Sequence, residues 1–331
     1  MPTVRLSDVI VPEVHTAYQV KNSMQRTALV ESGIMARNAM IESQLRAGAD
    51  SFNVPFWNDL GDEEADIVSD DPNVEATARK ITADKMRVRK AFLHGSWSTM
   101  NLASELAGDD AMARIQSRVN AWWNRQMQKR LVYTLEGLVA DNVANNDGDM
   151  ILDITGETGD AAKFSAKSVI RAAGTLGDAL NDVVGVLMHS DTYQLALEND
   201  LIEFERDSSG SLLLPTFRGL AVTMDDAMPV DTLNGDYLTA LFGRGAVGYG
   251  ATAPRIADGT AIETKEAAGN GGGSQTLHSR LNVAVHPLGY RFDDTTVAAD
   301  SPSWADLADP GSWTRTVERK AVPLAFLRHK L

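Results

Sequence analysis

Residues 109–142, "DDAMARIQSRVNAWWNRQMQKRLVYTLEGLVADN", have the clearest periodicity of the whole sequence. Apolar side chains recur there every three or four positions, at Ile115, Val119, Trp123, Met127, Leu131, Leu135 and Leu138. This spacing predicts a helix with one apolar face over about residues 109–141. Asp109 and Asp110 stand at its start, where the helix dipole favours acids. The helix should be about 45 Å long, and we expect its apolar face to pack in a core rather than to bind a cofactor.

The composition narrows the class of protein. The chain has 331 residues, 44% of them apolar, which is enough for a substantial core. It contains no cysteine, so disulfides, thiolate metal sites and a cysteine nucleophile are excluded, as fits a reducing cytoplasm. No apolar run reaches the roughly 20 residues that span a bilayer, and the N-terminus does not resemble a secretory signal. A formal net charge of −14 argues against a protein that wraps nucleic acid.

Aromatic, acidic and basic residues are segregated along residues 51–96. The stretch "SFNVPFWNDL" supplies Phe52, Phe56 and Trp57. An acidic run follows, with Asp62, Glu63, Glu64, Asp66, Asp70, Asp71 and Glu75, and then a basic run with Arg79, Lys80, Lys85, Arg87, Arg89 and Lys90. The basic run alternates like a strand that carries charge on both faces. This pattern predicts a long hairpin arm with little core of its own, and a solvated loop is the alternative interpretation.

The other segments predict a mixture of helices and strands. A loose apolar stripe favours a helix over about 22–46, and a short helix is expected to end at Gly108. From residue 165 onward helices alternate with strands, and "DYLTALFGRGAVGYG" (236–250) is expected to be one strand with a glycine-rich end. The expected N-caps are Ser98 or Thr99, Ser165, and Ser190 or Asp191. This alternation predicts an α+β body.

Two histidines raise the question of an active site. His278 and His286 lie in "HSRLNVAVHPLGYRF" (278–292), but on an ideal strand they would be about 26 Å apart, too far for one metal ion. Leu281, Val283 and Val285 alternate there, which predicts a core strand. This strand is expected to bend at Pro287 and Gly289.

Other catalytic and metal-binding patterns are equally weak. His189, Ser190 and Asp191 in "MHSD" are adjacent and cannot converge as a triad. The segment "DGDMILD" (147–153) lacks the glutamate that a calcium loop needs at its twelfth position. We therefore predict no catalytic, cofactor-binding or metal-binding residues, no cofactor, and a protein that is not an enzyme.

Seven segments in the same order together resemble the major capsid protein of tailed bacteriophages, which has the Hong Kong 97-like fold. They are "LSDVIVPEVHTAY", "FNVPFWNDLGDEEADIVSDDP", "WSTMNLASELAGDDAMARIQSRVNAWWNRQMQKRLV", "VLMHSDTYQLALENDLIEF", "LFGRGAVGYG", "LNVAVHPLGYRFD" and "SPSWADLADPGSWTRTVERKAVPLAFLRHKL". The resemblance covers nearly the whole chain and is to one subfamily of phage coat proteins.

This resemblance implies a layout of domains. An N-terminal arm would occupy residues 1–50 and an extended β-hairpin loop residues 51–96. The peripheral domain would cover 97–164 with the long helix as its spine. The axial domain would cover 165–275, and 276–331 would return to the peripheral domain.

The resemblance also implies a function and partners. Pentamers and hexamers would form an icosahedral head that encloses double-stranded DNA without sequence-specific binding and without contact to a membrane. Because the arm begins at Met1, the scaffolding protein is expected to be separate, with a portal and in some cases a decoration protein as further partners. The protein would be made in the host cytoplasm and reside in the virion. An encapsulin-type compartment shell is the alternative, and an acidic hydrolase is a third.

The hairpin is the expected contact between subunits. Phe52, Phe56 and Trp57 would be its apolar anchors, since surface ion pairs are individually weak. The charged residues that would bridge copies around a ring are Asp62, Glu63, Glu64, Arg79, Lys80, Arg87 and Arg89. Lys80, Lys85 and Lys90 are available for covalent crosslinking of the kind some relatives show, but the sequence indicates no specific pair. It also leaves open whether His286 lies at a subunit contact.

Overall fold

A computed structural model describes residues 35–58, 64–68, 70–71, 75, 78–206 and 212–331. Most of the predicted N-terminal arm, together with Asp62 and Glu63, lies outside the described residues. The strands are β1 (Met35–Arg37), β2 (Ser51–Trp57), β3 (Ala83–Arg89), β4 (Ala91–Met100), β5 (Ile151–Asp153), β6 (Val183–Met188), β7 (Glu203–Arg206), β8 (Leu212–Phe217), β9 (Leu220–Met224), β10 (Val230–Asp231), β11 (Asp236–Gly243), β12 (Val247–Thr252), β13 (Thr260–Lys265), β14 (Ser274–Pro287), β15 (Tyr290–Phe292), β16 (Trp313–Arg315) and β17 (Leu324–His329). The α-helices are α1 (Ala39–Leu45), α2 (Asn101–Ala107), α3 (Ala111–Asn145), α4 (Ala166–Ala173), α5 (Ser190–Glu198) and α6 (Trp304–Ala308).

Helix α3 confirms the predicted long helix and extends four residues beyond its expected end. Asp110 caps it, because the Asp110 carboxylate accepts hydrogen bonds from the main-chain N–H groups of Met112 and Ala113 at 2.9 and 3.2 Å. With 35 residues the helix is about 52 Å long. Six residues of the predicted stripe are buried, from Val119 to Leu138, whereas Ile115 at its start is half-buried.

One sheet packs against the first half of α3. Its strand order is β1-β12-β14-β13, and β4 also pairs with β14. The 14-residue strand β14 is its centre and contacts three antiparallel neighbours. Trp123 of α3 donates a buried hydrogen bond from Nε1 to Oγ of Ser279 at 2.8 Å. This sheet therefore fixes the position of the long helix.

The second sheet has eight strands, in the order β5-β17-β11-β6-β9-β8-β7, with β10 beside β11. Side chains of its central strands alternate between two cores, as the pleat requires. Ala240 and Phe242 of β11 lie in the core that contains the second half of α3, whereas Leu241 lies in the core that contains Val169 of α4. The mixture of helices and sheets confirms the predicted α+β class.

The predicted helix over about 22–46 is only partly confirmed in its described part. Residues 35–37 form β1, which pairs in parallel with β12, and only Ala39–Leu45 is helical. Asn38 separates β1 from α1. Its side chain accepts a hydrogen bond from the N–H of Met40 at 2.9 Å and so caps the start of α1. Gly250 of β12 lets the helix approach closely, since a Cβ there would lie 2.9 Å from Cγ2 of Ile41.

Two predicted helix caps are also wrong, and two are confirmed. Ser98 and Thr99 belong to β4 and pair with β14, so α2 begins after Met100 without a side-chain cap. His189 caps α5 in place of Ser190 or Asp191, and its Nδ1 accepts from the N–H of Asp191 at 3.1 Å. The confirmed caps are Ser165, which forms a capping box on α4, and Gly108, which follows α2 with φ 66°.

The segment 236–250 is two strands rather than one. The chain leaves β11 in the eight-stranded sheet, turns at Gly245 with φ 71°, and enters β12 in the other sheet. The sheets also divide the chain differently from the expected boundaries at 164/165 and 275/276. Strands β5 and β17, from outside 165–275, join the eight-stranded sheet, whereas β12 and β13, from inside that range, join β14.

Candidate assembly surface

The hairpin expected to contact other subunits is formed by β2 and β3. Its seven paired positions run from Ser51 opposite Arg89 to Trp57 opposite Ala83. Beyond them, the N–H of Asn58 donates to the main-chain oxygen of Thr82 at 2.8 Å. Among the described residues, these two strands pair only with each other, which is why Pro55, without an N–H, is tolerated in β2.

An apolar cluster anchors the base of the hairpin within its own subunit. Phe52 and Val54 of β2 pack against buried residues of other elements, namely Ile41, Leu45, Val88 and Ala284. The ammonium group of Lys90 lies 5.9 Å from the centroid of the Phe52 ring. Phe52 is thus committed to the core of its own chain in the isolated subunit.

Ion pairs reinforce the same base. Arg87 Nη1 lies 3.2 Å from Oδ2 of Asp294, and Arg89 Nη1 lies 2.5 Å from Oδ2 of Asp50 and 3.4 Å from Oδ1 of Asp294. Arg89 also donates to the main-chain oxygen of Asp300 at 3.0 Å. The Arg89 side chain is only 9% exposed, and the carboxylates of Asp50 and Asp294 from its own subunit balance its charge. The structure therefore gives both arginines partners within the chain.

Lys90 lies beneath the base and is buried. Its Nζ donates to the main-chain oxygens of Ala47 and Gly48 at 3.0 and 3.2 Å. Burial lowers the pKa of the Lys90 ammonium group, and the nearby Asp50 carboxylate opposes this effect. This burial separates Lys90 from Lys80 and Lys85, which are exposed on the arm.

The distal part of the arm is apolar and exposed. Trp57 is 70% exposed, whereas Phe56 beside it is half-buried. Ile67 and Val68, inside the acidic run, are 87% and 95% exposed. The acidic and basic runs meet within the chain as well, since Arg79 Nη2 lies 3.0 Å from Oδ1 of Asp66.

The other predicted contact residues of this loop lie at its surface. Arg79 also donates to the main-chain oxygen of Glu64 at 2.7 Å, so it ties the two limbs of the loop together. Glu64 and Lys80 are exposed. Ile67 and Val68 were not among the predicted contacts, although an aliphatic pair inside an acidic run is a signal that could have indicated them.

His278 lies in a polar cluster across three strands rather than in a metal site. Its Nδ1 is 3.1 Å from Nε2 of His94 on β4, and its Nε2 is 3.2 Å from Oε2 of Glu263 on β13. The two imidazole rings stack with centroids 5.3 Å apart. Burial, and then the neighbouring charges of His278 and Arg280, lower the pKa of His94. His94 and Glu263 could not be predicted as neighbours, because only strand pairing brings them to His278.

His286 is buried within the subunit. Its Nε2 lies 2.9 Å from the main-chain oxygen of Tyr290, and burial lowers its pKa to about 4. Within the described ranges, no group of three or more His, Cys, Asp or Glu residues could hold a metal ion. In the same part of the chain, no helix is long and apolar enough to cross a membrane.

Comparisons with known proteins agree on one family. The family model described as "Major capsid protein 13-like" (Gp13-like) matches residues 36–322. The major capsid protein of Bacillus phage SPP1 is 33% identical over 338 residues, which cover 100% of this chain and 99% of that protein.

Solved phage capsids share the fold. The capsid of cyanophage Pam1 matches with a TM-score of 0.58 at 12% identity, over 96% of both chains. The capsid of Ralstonia phage GP4 matches with a TM-score of 0.57 at 10% identity, also over 96% of both chains. These similarities confirm the Hong Kong 97-like capsid fold.

Proposed function

The chain belongs to the Gp13-like family of major capsid proteins, and on this premise we propose that its hairpin joins neighbouring subunits within the shell. As a phage major capsid protein, it forms the icosahedral head of the virion. The family assignment favours this head over the encapsulin-type shell. We further propose that the role is structural only, with no catalytic step, which replaces the hydrolase alternative.

One observation supports the proposal for the hairpin: its base is anchored in its own subunit, while no described residue of that subunit covers its distal apolar side chains. Phe52, Val54 and Arg89 hold the base. Trp57, Ile67 and Val68 project from the far part with 70% or more of their surface exposed. Large apolar side chains grouped on an exposed arm indicate a surface that another chain covers.

These contacts revise the proposed roles of the predicted contact residues. Phe56 and Trp57 remain the anchors that would fit a neighbouring subunit. Arg87 and Arg89 would instead set the angle of the arm, because their partners Asp50 and Asp294 belong to the same chain. Asp62, Glu63, Glu64 and Lys80 stay candidates for contacts between copies.

We propose a domain layout that follows the sheets. The peripheral domain would contain α3 and the sheet built on β14. The axial domain would contain the eight-stranded sheet, including β5 and β17. Residues 1–50 would form the N-terminal arm and 51–96 the extended loop, as the resemblance implies.

Partners follow from the role in the head. Pentamers and hexamers of this chain would enclose double-stranded DNA without reading its sequence, since the net charge of −14 opposes tight binding to phosphates. A separate scaffolding protein, a portal and a decoration protein are further proposed partners. Synthesis in the host cytoplasm is part of the same proposal.

A double variant tests the hairpin. Phe56→Ala with Trp57→Ala should leave a folded, soluble subunit that does not close shells, as judged by circular dichroism and negative-stain electron microscopy. The matched control is Leu233→Ala, which removes an apolar side chain that is 94% exposed in a turn far along the sequence. Normal particles from the double variant would contradict the proposed role of the arm.

A further inference from the structure

A groove of about 310 Å³ lies on the N-terminal half of α3 and has no role in the fold described so far. Two indole rings and an isoleucine form its apolar surface, and three arginines surround them; these residues are Trp97, Trp122, Ile115, Arg114, Arg118 and Arg125. A basic groove is unexpected in a chain with a net charge of −14.

Packing beneath the groove preforms it. The rings of Trp97 and Trp122 meet edge to face with centroids 5.1 Å apart. They lie over Gly95 of β4, where a Cβ would be 2.8 Å from Cη2 of Trp97 and 3.0 Å from Cη2 of Trp122. Trp123, buried behind them, contacts Trp122 with ring centroids 4.6 Å apart. Binding there would thus require little rearrangement of these rings.

The groove presents hydrogen-bond donors without acceptors. In the part of the chain that the structure describes, the indole N–H groups of Trp97 and Trp122 have no hydrogen-bond partner, and Arg118 and Arg125 have no ion pair. Arg114 is paired with Asp109, whose Oδ2 lies 3.0 Å from its Nε. Hydrogen-bond donors around an apolar surface favour a ligand that carries both negative charge and an aliphatic group.

The acidic loop of this same chain, residues 64–68 with Asp70, carries both negative charge and aliphatic side chains. Ile67 and Val68 expose nearly all of their aliphatic side chains. The carboxylates of Glu64 and Asp70 lie close to them in the sequence, whereas Asp66 is already paired with Arg79 of its own chain. Duplex DNA would supply phosphates to the arginines, but its bases are paired and stacked inside the helix, so it offers no apolar group to the indole rings; an unpaired strand, whose bases can stack on indoles, is the alternative occupant. Ile67 and Val68 are exposed in their own subunit, so a second copy can reach them.

We propose that this groove is the receptor for the acidic loop, residues 64–68 with Asp70, of a second copy of the chain. The inference rests on the proposed role of the hairpin and names the surface that receives it. Because loop and groove are different patches of one chain, the contact is heterologous and can continue around a closed ring. Ile67 and Val68 would cover the indole rings while the carboxylates approach Arg118 and Arg125.

Engineered cysteines test the contact in the full chain, which has no cysteine of its own. Val68→Cys with Arg118→Cys should, on oxidation of assembled shells, give a ladder of linked chains on a non-reducing gel. At least tenfold more linked product is expected than from Val68→Cys with Lys167→Cys, which places the second thiol on the surface of α4. If shells form but give no such ladder, the groove is not the receptor for the loop, and the proposed function of the hairpin still stands. Failure of the unmodified chain to form shells even when it is co-expressed with its scaffolding protein would overturn both.

Charge reversal gives a second test that does not depend on disulfide geometry. Arg118→Glu with Arg125→Glu should lower shell yield at least tenfold, as should Glu64→Lys with Asp70→Lys. All four substitutions together restore the original net charge and should recover at least half of the yield. Lys167→Glu is the control on another helix and should form shells normally.

The same variants separate the alternative occupant. Arginine reversal that leaves shell yield unchanged overturns the proposal. If that variant also loses binding to a single-stranded oligonucleotide of about 20 nucleotides, the groove binds single-stranded nucleic acid instead.

Discussion

The imidazole Nε2 of His286 lies 2.9 Å from the main-chain oxygen of Tyr290, and this hydrogen bond closes the turn between β14 and β15. Pro287 ends β14, and Gly289 reverses the chain with φ 85°. His286 also lines a small buried cavity with Arg89 and Arg130. A neutral imidazole suits this position, because burial disfavours the charged imidazolium while one ring N–H is enough for the hydrogen bond to Tyr290.

The stability of the unassembled subunit should therefore fall in mild acid. Burial lowers the pKa of His286 from its usual 6.5 to about 4, so between these values the unfolded chain binds a proton that the folded chain does not. The stabilisation is complete above pH 6.5 and is lost as the pH falls toward 4, by about 2 kcal/mol at pH 5. Urea denaturation at pH 7.5 and pH 5 measures this difference in the free energy of unfolding.

Variants identify the histidine responsible. His286→Gln should reduce the loss of stability between pH 7.5 and pH 5, and His94→Gln, at an exposed residue, should reduce it less. His329 is also buried with its pKa lowered to about 4, so His286→Gln alone should leave part of the pH dependence. An unchanged pH dependence in His286→Gln would contradict this explanation.

Gly137 of α3 should not tolerate a methyl group. A Cβ there would lie 2.1 Å from the main-chain oxygen of Leu307 and 2.7 Å from Nε1 of Trp313. These two atoms already share a hydrogen bond of 2.8 Å, so Gly137→Ala should cost about 3 kcal/mol of the free energy of unfolding or prevent folding. Gly156→Ala has open space around it and should cost less than about 1 kcal/mol. Equal stability of the two variants in urea would show that α6 can move away from α3.

The two arginines at the base of the hairpin should differ in importance. Arg89→Met removes the partner that Asp50 and Asp294 share and should cost about 2 kcal/mol, because the Arg89 side chain is only 9% exposed although Asp50 is 59% exposed. Arg87→Met should cost less than about 1 kcal/mol, because that side chain is 37% exposed. Limited trypsin digestion provides a local measurement, since a loosened arm is cut faster at Lys80 and Lys85. Similar cleavage rates in both variants would count against the ion pairs as the anchor.

Lys90 should resist chemical modification. Its Nζ is buried and donates to two main-chain oxygens, so an amine-reactive reagent at pH 8 should label it at least tenfold more slowly than the exposed Lys80 and Lys85. Mass spectrometry of tryptic and chymotryptic peptides gives the three rates in one sample. Rapid labelling of Lys90 in the native subunit would mean that the base of the hairpin opens, and would return Lys90 to the lysines that could reach a neighbouring chain.

Much of the architecture could be predicted from local patterns. The stripe from Val119 to Leu138 predicted α3 because helical periodicity in the sequence survives directly in the fold. The alternation of Leu281, Val283 and Val285 predicted a core strand, and the structure places Val283 and Val285 in the main core. Seven segments, none sufficient alone, indicated the capsid family through their shared order along the chain.

Errors arose where a distant strand overrides a local preference. The local pattern of residues 35–37 predicts a continuation of the helix α1, but these residues pair in parallel with β12 and form a strand. Ser98 and Thr99 have the chemistry of helix caps, but β14 pairs with them. In both cases hydrogen bonds to residues more than 170 positions away decide the conformation, and no local window contains that information.

The sequence by itself determined the long helix, the α+β class, the separate acidic and basic runs of the hairpin, and the family. Each of these depends on residue order within a short segment or on the order of several segments along the chain. Only the tertiary structure decided which charges of the arm are satisfied within the subunit and which apolar groups are left uncovered. Asp294 lies 205 residues from Arg89, and Trp97 lies 25 residues from Trp122, yet packing brings each pair together. Side-chain burial is set by these distant contacts, so the surface available to a neighbouring subunit exists only in the folded chain.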